Sequence, residues 1–136
     1  MTNSNLIKVL EELKSREPIF HHPEFGTSRA YYENMTDVNF WEVGASGKRY
    51  DREDVIETCI ARYKNNNYSK NDIWEAKNFE CREIALNSYL LTYTLIQGVE
   101  KRITHRATIW QLVDNNWQIF YHQGTIIENN GHVLAK

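Results

Sequence analysis

Residues 102–127, which read RITHRATIWQLVDNNWQIFYHQGTII, decide the fold. Two runs rich in β-branched and aromatic residues, 102–113 and 117–127, stand on either side of the short polar link DNN at 114–116. Such runs favour strands, and a link of this length and polarity favours a tight turn between them. The stretch therefore predicts two neighbouring antiparallel strands.

The residues before this stretch extend the pattern. Runs of the same kind occupy 73–84 and 89–97, and QGVEK at 97–101 leads into the decisive stretch. Four runs joined by short polar links are typical of an antiparallel meander. We expect the second half of the chain to form most of one sheet.

The N-terminal half predicts helices. Apolar residues at helical spacing predict a first helix that Pro18 ends, and TSRAYYENM at 27–35 predicts a second. Residues 38–43 predict a short strand, and Asp51, with Asp54 three positions later, predicts the start of a third helix. Helices followed by a long meander indicate an α+β fold, in which the helices cover a curved sheet and leave a pocket where they do not fill it.

Composition narrows the function. The 136 residues carry a net charge of −2, and no run of Lys or Arg exceeds two residues, so we expect no nucleic-acid partner. No apolar stretch reaches the length of a membrane span. Cys59 and Cys81 lack the spacing of metal or redox motifs, which favours two partly buried free thiols in a reducing cytoplasm. GASGK at 44–48 does not match a phosphate-binding loop, and we expect no cofactor.

Three motifs resemble one known family: NFWEVGASGKRYDRED at 39–54, THRATIWQL at 104–112 and WQIFYHQGT at 117–125. Together with the order of the elements, they resemble the nuclear transport factor 2-like superfamily, and within it the SnoaL-like proteins of domain-of-unknown-function family 4440. The resemblance implies one cone-shaped domain over residues 1–136, with a core at 6–127, a short polar C-terminal tail and a central pocket. It also implies a homodimer formed through the convex face of the sheet.

Glu42 and Arg106 are the charged residues of most interest. Glu42 stands among bulky apolar residues in FWEVG: facing inward it would have a raised pKa and could act as a general acid or base. If Glu42 faces outward, Trp41 and Val43 are the core residues instead. Arg106 lies in the middle of a predicted strand, where it could bind a carboxylate ligand, pair with Glu42 or point to solvent.

Strand alternation and the resemblance together place two polar residues at the pocket. Alternation puts Tyr121 and Gln123 on the same face as Trp117, and the resemblance implies that this face lines the cone. A phenol and an amide there could orient a ligand, or could be satisfied by neighbouring strands. The aromatic residues that we expect to form the core and the apolar pocket wall include Trp41, Tyr50, Trp74, Tyr93 and Trp110.

The sequence HHPE at 21–24 holds two imidazoles beside a carboxylate. His21, His22 and Glu24, with His122 added, could hold a metal ion, but adjacent side chains diverge in extended chain and rarely share one ion. We therefore expect no metal. His21 and His22 are either surface residues, or one of them lies at the pocket mouth as a candidate acid or base.

These observations favour a small-molecule-binding domain that forms a homodimer, with the ligand unidentified. One alternative is a SnoaL-like enzyme that performs acid–base chemistry, such as isomerisation or dehydration, without a cofactor. Glu42, a loop histidine and Tyr121 would then act on the substrate. A further alternative is a protein-interaction module.

Overall fold

A computed structural model describes residues 3–64 and 73–127. The predicted C-terminal tail lies outside these residues. Within them, the chain forms three α-helices, one 3₁₀ turn and six strands. Their bounds are α1 Asn3–Lys14, the 3₁₀ turn Pro23–Phe25, α2 Arg29–Asn34, β1 Thr36–Val43, β2 Arg49–Asp51, α3 Arg52–Lys64, β3 Trp74–Ala85, β4 Ser88–Gln97, β5 Arg102–Val113 and β6 Asn116–Ile126.

The six strands form one sheet in the order β2-β1-β6-β5-β4-β3. Strands β3 to β6 are the predicted antiparallel meander. Strand β1 adds to the sheet beside β6 in parallel, and β2 pairs with β1 in antiparallel fashion. The α+β fold class is confirmed.

The two internal helices begin where the sequence signals place them. The Ser28 hydroxyl accepts a hydrogen bond from the Tyr31 amide and caps α2. At α3 the Asp54 amide donates to the Asp51 carboxylate, and the Asp51 amide donates to the Asp54 carboxylate. This reciprocal pair satisfies two amides that a helix start leaves without partners. None of the helices in the described ranges has both the length and the apolar character needed to cross a bilayer.

The sheet has an inner face, which packs against the helices, and an outer face. On β4 the inner residues Tyr89, Leu91, Tyr93 and Leu95 are all buried. Their partners on β5 are Trp110, Thr108, Arg106 and Thr104. The core forms where this face meets the helices, with contributions from Leu13 of α1, Tyr32 of α2 and Ile56 of α3.

Strand β6 changes face partway along its length. Ile119 pairs with Trp110, but the next β5 residue, Ile109, pairs with Tyr121, so Phe120 is an extra residue. An extra residue in one strand inverts the alternation beyond it. Ile119, before the bulge, points inward. After the bulge His122 points inward and Gly124 lies on the same face, whereas Tyr121 and Gln123 point outward.

Candidate functional site

A cavity of about 300 Å³ lies between the inner face of the sheet, α3 and the segment that follows α1. Strands β1, β2, β5 and β6 each contribute one side chain to it. The lining residues are Ile19, Phe20, His21, Glu42, Tyr50, Val55, Thr58, Cys59, Arg62, Arg106 and His122. The cavity thus combines an apolar wall with a small set of polar groups, as is usual in small-molecule sites.

Glu42 points into this cavity from β1. It pairs with Tyr50 of β2 on one side and with His122 of β6 on the other, so all three side chains face inward. Burial raises the pKa of Glu42, and the nearby guanidinium groups of Arg106 and Arg62 lower it in part. Among the residues that the structure describes, none donates a hydrogen bond to its carboxylate.

Arg106 reaches the cavity from β5 and is surrounded by neutral acceptors. Its Nε donates to Thr104 Oγ1 at 2.8 Å, and its Nη2 donates to Gln97 Oε1 at 3.3 Å. Its Nη1 lies 3.5 Å from His122 Nε2. The ion pair with Glu42 that the sequence left open does not form. Burial lowers the pKa of Arg106, although the group remains a cation at any ordinary pH.

A second guanidinium, that of Arg62, lines the cavity from the last turn of α3. Its Nη1 donates to the Phe20 carbonyl at 3.0 Å, and the Tyr63 hydroxyl donates to the same oxygen at 3.1 Å. These two bonds fasten the segment after α1 to α3. They also hold the Arg62 side chain against the cavity wall.

His122 is held as a neutral ring of one tautomer. A guanidinium can only donate, so the Arg106 contact requires an acceptor at His122 Nε2. Nδ1 then carries the proton and donates to Thr108 Oγ1 at 2.8 Å. Burial, with Arg106 nearby, lowers the pKa of His122 to about 3. The ring therefore presents its basic nitrogen on the side of Arg106 and the cavity.

The Thr108 hydroxyl connects His122 to Glu17, a buried acid below the cavity. Glu17 accepts hydrogen bonds from the Tyr93 hydroxyl at 2.6 Å and from Trp110 Nε1 at 3.0 Å. Burial raises the pKa of Glu17, and these donors lower it in part. The carboxylate anchors the segment after α1 to the middle of the sheet and does not line the cavity.

The loop histidines occupy different environments. His21 lines the cavity, and burial with nearby positive charge lowers its pKa to about 4. His22 lies outside the cavity, with Nδ1 at 2.8 Å from Glu24 Oε2 and Nε2 at 2.9 Å from the Glu17 carbonyl. In residues 3–64 and 73–127, no group of three or more His, Cys, Asp or Glu side chains is arranged to hold a metal ion.

Three of the predicted pocket residues, Glu42, Tyr50 and Arg106, meet at the cavity. Tyr93 and Trp110 face inward but are buried beneath it and bind Glu17. Trp74 packs edge-on against the His22 ring, with 5.8 Å between centroids.

The prediction is corrected for Trp41, Tyr121 and Gln123, which lie on the outer face. The bulge in β6 turns Tyr121 and Gln123 outward, where the Tyr121 hydroxyl donates to Gln123 Oε1. Trp41 is one residue from the inward-facing Glu42 and therefore points the other way, packing against Tyr121 and the Arg49 guanidinium.

Sequence reasoning did not identify Arg62 or Glu17. The signal for Arg62 was present, because it follows Val55 by seven residues and Cys59 by three and so shares their helix face. No local pattern marks Glu17 as buried. Cys59 contributes to the cavity wall, and burial raises its pKa to about 12, which fits the expected packing thiol.

Solved structures of similar architecture exist, although no family model and no curated protein matches the chain. A nuclear transport factor 2-like protein from Cytophaga hutchinsonii aligns with a TM-score of 0.61 and 14% identity, over 93% of this chain and 100% of that one. An uncharacterised protein with a cystatin-like fold from Caulobacter vibrioides gives a TM-score of 0.63 and 17% identity, over 92% and 89% of the two chains.

A ketosteroid isomerase-like protein from Parabacteroides distasonis is also similar, with a TM-score of 0.55 and 15% identity, over 76% of this chain and 78% of that one. Identities this low establish architecture and leave activity open. The chain has the α+β fold of the nuclear transport factor 2-like and cystatin-like proteins.

Proposed function

We propose that the chain binds a small organic molecule in the cavity between the sheet and α3. The observation that carries the proposal is that Glu42 and Arg106 enter one cavity without pairing with each other. Buried charges are normally paired, so two that remain apart in a cavity are available to a ligand. The apolar side chains of Ile19, Phe20 and Val55 would cover the body of that ligand.

A bulky side chain in the cavity tests this proposal. Thr58 lines the cavity from α3, whereas Ala61 is exposed on the same helix and does not. We expect saturation-transfer NMR with a library of small organic acids, amides and alcohols to give ligands that Thr58→Trp loses and Ala61→Trp retains. A library that yields no ligand, or ligands that bind both variants equally, would contradict the proposal.

Glu42 favours a second candidate function, acid–base catalysis without a cofactor. Its carboxylate has a raised pKa and no hydrogen-bond partner among the described residues, which suits a proton acceptor. In such a reaction the carboxylate removes a proton from carbon next to a carbonyl group and later returns a proton to that carbon. His122 Nε2, as an acceptor, and Tyr50, as a phenol, would be neighbouring polar groups.

Deuterium exchange tests the catalytic candidate without knowledge of the natural substrate. Carbonyl compounds that bind in the NMR screen are incubated with the protein in D₂O. We expect the carbon-bound proton next to the carbonyl to exchange with the native chain and not with Glu42→Gln. If none of the bound carbonyl compounds exchanges its proton, this chemistry is ruled out and the binding proposal is unaffected.

We further propose that two copies of the chain pair through the outer face of the sheet. The outward residues of β4 and β5 include no Asp, Glu, Lys or Arg along the central pairs Leu90–Ile109, Thr92–Ala107 and Thr94–His105. Depletion of charge marks the core of protein interfaces, and two-fold pairs use one self-complementary patch. Membership of domain-of-unknown-function family 4440 stays a prediction that rests on the three sequence motifs.

A further inference from the structure

The charges that line the cavity do not balance. Two guanidinium groups, of Arg62 and Arg106, face one carboxylate, that of Glu42. Within residues 3–64 and 73–127, no Asp or Glu forms an ion pair with either arginine. The part of the cavity lining that the structure describes is therefore positively charged when Glu42 is ionised, and more so when Glu42 is protonated.

Arg106 retains donors for a ligand. Three of its N–H groups are used by Thr104, Gln97 and His122, one from each guanidinium nitrogen. A guanidinium has five N–H groups, so Nη1 and Nη2 each keep one. A planar guanidinium with two remaining donors can bind the two oxygens of a carboxylate.

Arg62 supplies the second positive group. One of its nitrogens is held by the Phe20 carbonyl, which fixes the guanidinium at the cavity wall while the remaining donors stay available. The cavity volume of about 300 Å³ and the apolar wall of Ile19, Phe20 and Val55 suit a compact ligand with one charged end.

We propose that the cavity binds a compact organic carboxylate at Arg106 and Arg62, and that binding is accompanied by uptake of one proton at Glu42. This inference rests on the proposed function, since it names the ligand class for the same cavity. The proton uptake follows from the position of Glu42, which shares the cavity with the bound anion.

The physical reason is electrostatic. Glu42 faces Tyr50 of β2, His122 of β6, Arg106 of β5, Cys59 and Arg62 of α3, and His21 of the segment after α1. The two guanidinium groups lower its pKa in the empty cavity. A bound carboxylate neutralises part of that positive charge and adds a like charge, so the pKa of Glu42 rises on binding.

His21, His122 and Cys59, which also face Glu42, keep their protonation state around neutral pH in the cavity without ligand. The pKa values of His21 and His122 are lowered to about 4 and about 3, so both rings stay neutral. The pKa of Cys59 is raised to about 12, so the thiol keeps its proton. We therefore expect Glu42 to take up the proton when the ligand binds, and affinity for the carboxylate to increase as the pH falls.

Calorimetry with benzoate as the probe tests both parts of the proposal. Benzamide serves as its neutral counterpart and phenylphosphonate as the alternative anion. The number of protons taken up is obtained by repeating the titration in two buffers, Tris and bis-Tris. The acid forms of both buffers are cations, and their ionisation enthalpies differ. We expect benzoate to bind at least about tenfold more tightly than benzamide, with up to about a tenfold gain in affinity per unit decrease in pH.

Variants assign these effects to residues. We expect Arg106→Met and Arg62→Met to weaken benzoate binding by about tenfold or more and to weaken benzamide binding much less, and Arg49→Met on the outer face to have no effect on either. We expect Glu42→Gln to bind benzoate at least as tightly as the native chain, without proton uptake. Proton uptake by the native chain is measured without any variant, so a variant that fails to fold does not prevent the test.

The outcomes separate this inference from the proposed function. If benzamide binds as tightly as benzoate, the cavity still binds ligands but the carboxylate assignment is wrong. Tighter binding of phenylphosphonate would also overturn that assignment. Benzoate binding without proton uptake would overturn the role of Glu42. If no probe binds and the NMR screen is also empty, the proposed function itself fails.

Discussion

At the residue scale, the structure depends most on the buried acid Glu17. Donors from Tyr93, Trp110 and Thr108 converge on its carboxylate, and it joins the segment after α1 to strands β4 and β5. A carboxylate accepts hydrogen bonds at both oxygens, which the neutral amide of glutamine cannot do.

We expect Glu17→Gln to lower the free energy of unfolding by about 2–4 kcal/mol, because its amide group must face a donor in the buried site. Urea denaturation measures the change. Glu12→Gln is the control, since Glu12 forms an exposed pair with Arg16 and its loss should cost below about 1 kcal/mol. Equal effects in the two variants would contradict the anchoring role of Glu17.

His122 makes stability depend on pH in a direction that follows from its lowered pKa. The ordinary histidine pKa is 6.5, and His122 in the folded chain has a pKa of about 3. Between these values the unfolded chain binds more protons, so the free energy of unfolding decreases as the pH falls, by up to about 1.4 kcal/mol per pH unit from this residue. His21, with a pKa of about 4, acts in the same direction.

We expect His122→Gln to remove one histidine's share of this slope, as measured by urea denaturation at a series of pH values below about 6.5. Glu17 and Glu42 have raised pKa values, so above their ordinary pKa of 4.5 they make the free energy of unfolding increase as the pH falls. The slope of the variant must therefore be compared with the slope of the native chain. An unchanged slope would mean that His122 is not held neutral in the folded chain.

At the element scale, α3 brings the cavity its second guanidinium. The helix begins at the Asp51–Asp54 reciprocal pair and ends at Lys64, with Val55, Cys59 and Arg62 on the face toward the cavity. The position of Arg62 therefore depends on where the first turn of the helix is set.

We expect Asp51→Ala to lower the free energy of unfolding by about 1 kcal/mol, because the Asp54 amide loses its acceptor. Asp51→Asn keeps a side-chain oxygen at the cap, so its free energy of unfolding should fall by only about a few tenths of a kcal/mol. Thermal or urea unfolding of the two variants provides the measurement. A loss of similar size in both would indicate that the charge, not the cap, stabilises the helix.

At the scale of the whole molecule, the inner and outer faces of the sheet have separate roles. The inner face provides the core and the cavity, while the outer face has a groove of about 560 Å³ bordered by Thr92, Thr94, His105 and Ala107. The proposed dimer would bury this groove and leave the cavity on the opposite side of the sheet.

We expect sedimentation equilibrium to give a dimer for the native chain and a monomer for Ile109→Glu, because a charge at the centre of an apolar contact is left without a partner. Val99→Glu is the control, as Val99 is 83% exposed in the link between β4 and β5. A native chain that remains monomeric at about micromolar concentration would contradict the dimer.

The sequence by itself determined the class of fold. Alternating residues, polar links and the capping signals at Ser28 and Asp51 are local features, because each depends on neighbours a few positions away. They correctly predict the meander and two helix starts, whereas the sequence left the direction of Arg106 open. The family resemblance led to the same architecture.

Only the tertiary structure decided the composition of the site. The inward direction of Glu42 depends on how β1 pairs with β6, and the bulge at Phe120 moves His122 inward and Tyr121 outward. Arg62 and Arg106 line the same cavity because α3 packs against strands β1 and β2, although the two residues are 44 positions apart in the chain. A one-residue change in strand register reverses every later side chain, so contacts between distant segments, not local pattern, select which polar groups share the cavity.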